Sequence, residues 1–314
     1  MITKRIFLGG LAASAGLPFV AYAGDNAFVR VPVTVTPTGR VHIAVTLNGQ
    51  GPFTFIVDTG ASTNAIRDDL AKTLKLSFLE GATVTGVGGE RTKNIYQAKT
   101  ILYGGKFRQK DILLAGIVRP GTDEDGLLAA GFLTSLPSEL DYGLSEARIF
   151  LKGGPDLSSY IPVKSYLNGE SASSSPQIYV FATIDGVALR LLLDTGSPSA
   201  LLLYPATVKT NSLWDKYGVG EAMKSTGVTG DSVGARGVIM PDFAMGDIAI
   251  PHLPVKLMDP NGHQDHMGVD GLLGAGFLKM FSMAISHTGV AFRPNAQIVI
   301  SAGASASTDN AQKP

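Results

Sequence analysis

The sequence predicts an all-β protein, mostly strand with short helices, built as two homologous lobes related by a pseudo-two-fold axis. Two repeats and a pervasive alternation of apolar and polar residues predict it. An apolar, β-prone run ending in Asp-Thr-Gly occurs twice, as Thr54-Phe55-Ile56-Val57-Asp58-Thr59-Gly60 and as Arg190-Leu191-Leu192-Leu193-Asp194-Thr195-Gly196. A second segment also returns in the same order: Asp125-Gly126-Leu127-Leu128-Ala129-Ala130-Gly131-Phe132-Leu133 reappears as Asp270-Gly271-Leu272-Leu273-Gly274-Ala275-Gly276-Phe277-Leu278. Self-similarity on this scale marks a duplicated structural unit.

Residues 1–23 have the pattern of an export signal. Lys4 and Arg5 precede a Gly/Ala-rich apolar stretch that ends in Ala21-Tyr22-Ala23, a small-residue cleavage pattern. Thr3-Lys4-Arg5-Ile6-Phe7-Leu8 resembles a twin-arginine signal with Lys in place of the first Arg. The run is too short, and too interrupted by Gly and Pro18, for stable membrane insertion, so an exported protein, periplasmic or secreted, is expected. The first lobe is expected over residues 24–152. Val29, Val31, Val33 and Val35 alternate, Pro37-Thr38-Gly39 turns, and Val41, Ile43, Val45 and Leu47 alternate again before Asn48-Gly49, a hairpin signal. Phe53 to Val57 carries the chain into Asp58. Ile66, Leu70 and Leu74 fall at helical spacing and predict a helix over Ala65–Leu76. Thr83-Val84-Thr85-Gly86-Val87-Gly88-Gly89 opens a glycine-rich hairpin, and a strand near Arg148–Leu151 closes the lobe. Gly, Ser and Pro dominate residues 153–176, which read as a linker. The second lobe, 177–296, repeats the scheme. Ile178, Val180, Ala182 and Ile184 alternate, Asp185-Gly186 turns, Leu189 to Leu193 reaches Asp194, and Thr226-Gly227-Val228-Thr229-Gly230 matches the opening of the first glycine-rich hairpin. Residues 297–314 read as a flexible tail.

The 314 residues carry 26 basic and 26 acidic side chains, and no long basic run that would draw nucleic acid. The absence of cysteine excludes disulfides, thiol catalysis and thiolate metal sites. An exported chain without disulfides must rely on burial, and the 45% hydrophobic composition supports a sizeable core.

These residues resemble the retropepsin-like aspartic proteases, in the arrangement of a bacterial chain that fuses two retropepsin-type units. The likeness covers most of residues 28 to 293: an apolar strand, Asp-Thr-Gly-Ala/Ser, a glycine-rich hairpin, and a later apolar-apolar-Gly segment, each present twice and in order. The resemblance implies the bilobal pepsin/retropepsin-like acid protease fold and an aspartic-type endopeptidase acting on a peptide or protein substrate, with no cofactor and no metal. It implies Asp58 and Asp194 as the catalytic pair, supported by Thr59, Gly60, Ala61, Thr195, Gly196 and Ser197, with the two threonines cross-bonding between lobes. It further implies flaps that close on substrate at Gly86, Val87, Gly88 and Gly89 and at Gly227, Val228, Thr229 and Gly230. Both acids lie in one chain, so a monomer is expected to suffice. One departure is Ala129, where the family pattern has Gly; Gly274 keeps it in the second lobe.

The chemistry is consistent with that reading. A carboxylate ending a buried strand is costly without partners, and two of them, one per half, suggest that each partners the other. Two carboxylates about 3 Å apart cannot both ionise and hold one proton between them. The ionised member can take a proton from water while the neutral one donates to a peptide carbonyl, without a covalent intermediate. Gly60 and Gly196 allow close backbone approach and can offer N–H groups to the carboxylates. Ala61 and Ser197 differ at the next position. A hydroxyl on Asp194 would favour its charged form, so the charge is expected on Asp194 and the proton on Asp58.

Other patterns in the chain compete with this one. Gly230-Asp231-Ser232-Val233-Gly234 matches Gly-x-Ser-x-Gly, with His287 downstream. A nucleophile elbow, however, needs a strand before the Ser and a helix after it, and glycine-rich sequence flanks Ser232 on both sides. Asp259, His263, Asp265, His266 and Asp270 could ligate zinc, but their spacing matches no closed site, and a solvated loop is the better reading. His42 is expected to be a solitary structural residue. The remaining alternative is a cell-envelope module that keeps a protease-like cleft and binds peptide without cleaving it.

Overall fold

Period-two patterning sets the strands in the order expected. Val41–Leu47 buries Val41, Ile43, Val45 and Leu47 and turns the residues between them outward, and Gln50–Val57 pairs with it antiparallel across Asn48-Gly49. The computed structural model describes residues 27–86, 89–118, 123–169, 175–218, 220–226, 232–262 and 268–295. Within them, the first lobe forms an eight-stranded sheet in the order Thr34–Val35, Val41–Leu47, Gln50–Val57, Gly126–Leu128, Ala65–Arg67, Phe107–Ile117, Gly89–Tyr103, Ser77–Gly86. A further pairing of Val41–Leu47 with Gly89–Tyr103 curls this sheet on itself. The second lobe repeats the order with Ser165–Asn168, Gln177–Ile184, Val187–Asp194, Gly271–Gly274, Leu201–Leu203, Ile248–Met258, Ser232–Met245 and Glu221–Thr226. Thr183 opposite Ala244 supplies its matching closure. The architecture is therefore the mostly-β, two-lobed one that the repeat predicts.

The repeated Asp-Gly-Leu-Leu segment sits at the centre of each lobe. Gly126–Leu128 runs parallel to the strand that ends at Asp58, and Gly271–Gly274 parallel to the one that ends at Asp194. The leading acid of each segment anchors the neighbouring backbone. Asp125 Oδ2 accepts the Thr54 N–H at 2.9 Å, and Asp270 Oδ2 the Arg190 N–H at 2.7 Å. Asp270 Oδ1 also accepts from the Thr207 hydroxyl at 3.0 Å. Two acids of the suspected metal cluster are thus explained by the backbone, since Asp259 Oδ1 accepts the Asn261 N–H at 2.9 Å; His263, Asp265 and His266 lie outside the described residues.

A third sheet joins the lobes. Its order is Phe28–Pro32, Glu146–Phe150, Ser138–Asp141, Phe281–Ser286, Gly289–Pro294, Ile161–Pro162, so Ser138–Asp141 of one half hydrogen-bonds Phe281–Ser286 of the other. Ionic contacts reinforce that seam. Arg293 reaches Glu139 at 3.1 Å and Asp141 at 3.0 Å, and Arg148 reaches Glu139 at 2.7 Å. Burying Glu139 and Asp141 is tolerable because each has a guanidinium partner.

Two local expectations change. Helical spacing predicted Ala65–Leu76, but the helix is only Asp68–Thr73; Ala65–Arg67 is a strand held between Gly126–Leu127 and Ala115–Ile117. Tertiary pairing overrides local periodicity there. The Gly/Ser/Pro-rich stretch between lobes contains Ile161–Pro162 and Ser165–Asn168, which pair with Ala291–Phe292 and Gln177–Val180. Among the described residues no helix is long and apolar enough to cross a membrane.

Candidate active site

Asp58 and Asp194 each stand at the exit of a buried strand, and the lobes bring them together. Their carboxyl groups hydrogen-bond one another. Each acid is held from its own side by two backbone donors. The N–H groups of Gly60 and Ala61 donate to Asp58 Oδ1 at 3.0 and 3.1 Å, and those of Gly196 and Ser197 to Asp194 Oδ1 at 2.8 and 3.0 Å.

The two turns interlock beneath the acids. Thr59 N–H donates to Thr195 Oγ1 and Thr195 N–H to Thr59 Oγ1, both at 3.1 Å. The Thr59 hydroxyl donates to the Leu193 carbonyl at 2.7 Å, and the Thr195 hydroxyl to the Val57 carbonyl at 2.6 Å. Both threonines are fully enclosed, so these bonds form without competition from water. Glycine is obligatory on either side. A Cβ on Gly60 would lie 2.5 Å from Asp194 Cγ, and one on Gly196 2.6 Å from Asp58 Cγ. Each glycine thus packs on the acid of the opposite lobe.

Burial, then the charge of Asp58, then the hydrogen bond that the Asp194 carboxyl makes to Asp58 push Asp194 well above its ordinary 3.8, against the lowering effect of the Gly196 and Ser197 N–H groups. This direction runs against the expected asymmetry, which put the proton on Asp58. The backbone donor sets are alike on the two acids, and burial differs: Asp194 is 9% exposed and Asp58 only partly buried. The neutral form therefore favours Asp194.

Surroundings not legible from the motifs complete the site. Val41 lies opposite Val57 and Tyr179 opposite Leu192, which sets Arg40 across from Asp58 and Gln177 across from Asp194. Gln177 Nε2 donates to the Gly60 carbonyl, a further tie between lobes. Arg40 pairs with the buried Glu124, and His42 Nε2 lies 3.3 Å from Glu124 Oε1, so His42 belongs to a charged cluster and is not solitary. Partial burial lowers the Arg40 guanidinium and the charge of Asp58 opposes that, which places Arg40 within electrostatic reach of the pair. A bulge between Val45 and Leu47 shifts the register by one residue, so counting back from the Asn48-Gly49 turn would reach Gly39, and only the observed pairing places Arg40.

Ala129 is accommodated by a change in its loop. Ala65 lies opposite Leu127 and Leu202 opposite Leu272, so the loop after Asp194 is one residue longer than the loop after Asp58. In the longer loop Gly274 N–H donates to the Ala200 carbonyl at 2.9 Å, and a Cβ on Gly274 would strike the Ser199 carbonyl. In the shorter loop the Asn64 side-chain oxygen accepts from Ala129 N–H at 2.8 Å, and the Ala129 methyl is fully buried.

Ser77–Gly86 and Gly89–Tyr103 form one hairpin, with Gly86 opposite Gly89; Val87 and Gly88 lie outside the described residues. Glu221–Thr226 and Ser232–Met245 form the other, with Thr226 opposite Ser232; Gly227, Val228, Thr229 and Gly230 also lie outside them. Ser232 opens a 14-residue strand, the wrong setting for a nucleophile elbow, which needs a helix after the Ser.

The family described as aspartyl protease has a model that matches the chain twice, over residues 43–132 and 180–277. Each match contains one Asp-Thr-Gly turn and one Asp-Gly-Leu-Leu segment. No curated protein matches the sequence.

Proposed function

Because the chain belongs to the retropepsin-like aspartyl protease family, as two fused units, we propose that it is an endopeptidase in which Asp58 and Asp194 act together on a water molecule. The observation that carries the proposal is the carboxyl–carboxyl hydrogen bond across the pseudo-two-fold, with each acid resting on the other lobe's glycine. Such a pair holds one proton over a wide pH range. The more exposed Asp58 is the ionised member and removes a proton from water as its oxygen attacks the peptide carbonyl carbon. Asp194, kept neutral by burial, donates its proton to the carbonyl oxygen. The gem-diol collapses as one of its hydroxyls returns a proton to Asp194, the carbon–nitrogen bond breaks and the leaving amine takes the proton held on Asp58, which restores the starting pair. The interlocked threonines and the four backbone N–H groups would hold both acids in place through the cycle, so little reorganisation accompanies the charge movement.

The substrate reading is an extended peptide laid across the cleft between lobes, with the hairpins at Gly86–Gly89 and Gly227–Gly230 closing over it. Residues 1–23 would direct export to the periplasm or beyond, and one chain would suffice for activity because it supplies both acids.

Cleavage of a mixed peptide library by wild type, Asp58→Asn, Asp194→Asn and Ser232→Ala tests the proposal. Loss of about 10³-fold or more in each Asp variant, with Ser232→Ala active and a statine-type inhibitor blocking wild type, is the expected result. Peptide binding by wild type without cleavage would replace this reading with a non-catalytic binding module.

A further inference from the structure

The two lobes differ at equivalent cross-strand neighbours of the strand that follows each acid-bearing turn. In the first lobe Ala65 lies beside Ala115, and Ala115 lies opposite Ile95. Both belong to a closed apolar cluster with Ile56, Ile117 and Leu127. In the second lobe Leu202 lies beside Lys256, and Lys256 opposite Gly237. Lys256 therefore takes the place of Ala115, and Gly237 that of Ile95. A cleft of about 960 Å³ lies at these positions, and its lining includes Pro198, Ser199, Gly237, Ile239 and Lys256. Pro198 and Ser199 belong to the loop that starts at Asp194, so one wall of the cleft is the loop that leaves the site.

The chemistry of the cleft is uneven. Ile239 is a 58% exposed aliphatic side chain on its wall, a hydrophobic surface awaiting contact. Lys256 is partly buried, and its desolvation lowers the ammonium with no carboxylate of the described residues offsetting it. Glu221 also lines the cleft, but it sits two strands away across Gly237, on the exposed outer strand, with its charge already hydrated. A partly desolvated cation gains more from an incoming opposite charge than a hydrated anion does.

We propose that this cleft is a substrate subsite that takes an acidic side chain, an aspartate or glutamate of the bound peptide, against the Lys256 ammonium. The proposal rests on the endopeptidase reading for the identity of the ligand as a peptide. The matching position in the first lobe, filled by Ile95 and Ala115, accepts no charge, so the preference falls on one side of the scissile bond only.

A positional peptide library carrying Glu, Gln or Lys in turn at each position tests it by binding. The Asp194→Asn chain serves as the non-cleaving background, with wild-type cleavage of the same library measured in parallel. The expected result is about a 10-fold preference for Glu over Gln at a single position, reduced to parity by adding Lys256→Met and turned toward Lys by adding Lys256→Glu. Equal binding of Glu and Gln peptides at every position, a Glu preference that survives Lys256→Met, or no binding of any peptide would overturn it. Cleavage by wild type with no Lys256-dependent preference would sink the subsite and leave the protease. A Lys256-dependent preference without cleavage would do the reverse.

Discussion

Replacing Thr59 by Val removes one hydroxyl and keeps the shape. Two bonds disappear with it: the one donated to the Leu193 carbonyl at 2.7 Å and the one accepted from Thr195 N–H at 3.1 Å. Thr59 and Thr195 are 0% exposed, so water cannot step in for the lost partner. A buried polar group left unmet costs about 1–3 kcal/mol, and two groups are affected, so the gross loss is about 2–6 kcal/mol. The added apolar methyl offsets about 1 kcal/mol. The net loss of about 1–5 kcal/mol, centred near 3, is a large share of the ~5–15 kcal/mol that holds a folded domain together. Thr59→Ser keeps both bonds and loses one methyl group, about 1 kcal/mol. Urea unfolding followed by circular dichroism separates the two. With a slope near 3 kcal/mol/M, the Val variant should unfold about 1 M earlier than wild type, and the Ser variant about 0.3 M earlier. Equal midpoints for Val and Ser would refute the claim that the hydroxyls lock the turns together.

Three further outcomes follow from the geometry. Asp194 keeps its proton above the ordinary 3.8, so between that value and its raised one the folded state holds a proton that the unfolded chain has released. Stability therefore declines as pH rises through that window, and Asp194→Asn, which cannot ionise, should melt higher than wild type at pH 7 and match it near pH 3; the same melting difference at both pH values would refute this. Gly196→Ala drives a methyl to 2.6 Å from Asp58 Cγ and should lower kcat/KM by about 100-fold or more while costing about 1–3 kcal/mol of stability; a fully active variant, assayed on the same peptide, would show that the turns yield more than this packing allows. Arg40→Gln removes a cation that favours the ionised form of Asp58, so the acid limb of the pH–rate profile should move upward by about one pH unit, and Glu124→Gln should move it downward; an unmoved limb in both would place Arg40 outside the electrostatics of the pair.

What could be read from the chain was local. A strand followed by a small-residue turn is written in consecutive residues, so both Asp-Thr-Gly turns and the hairpin at Asn48-Gly49 were visible. So was the duplication, because it preserves order as well as type. The misses depend on which strands meet. Ala65–Arg67 reads as helix until Gly126–Leu127 and Ala115–Ile117 flank it. His42 looks solitary until the segment ahead of Gly126 brings Glu124 to it. The Ala61/Ser197 difference points to charge on Asp194, whereas burial, which consecutive residues do not display, pushes that carboxyl toward its neutral form. Arg40, Gln177 and Lys256 belong to no motif; register alone gives them their places.

A strictly two-fold groove offers identical walls to a polypeptide threaded forward or backward, so orientation must then come from the occupant alone. Here a single gene encodes both walls, and Gly237 and Lys256 have departed from Ile95 and Ala115 without any matching change opposite. With the proposed subsite, that one-sided divergence, closed to an assembly of identical subunits, would let the groove itself distinguish the amino-terminal from the carboxy-terminal end of whatever lies in it.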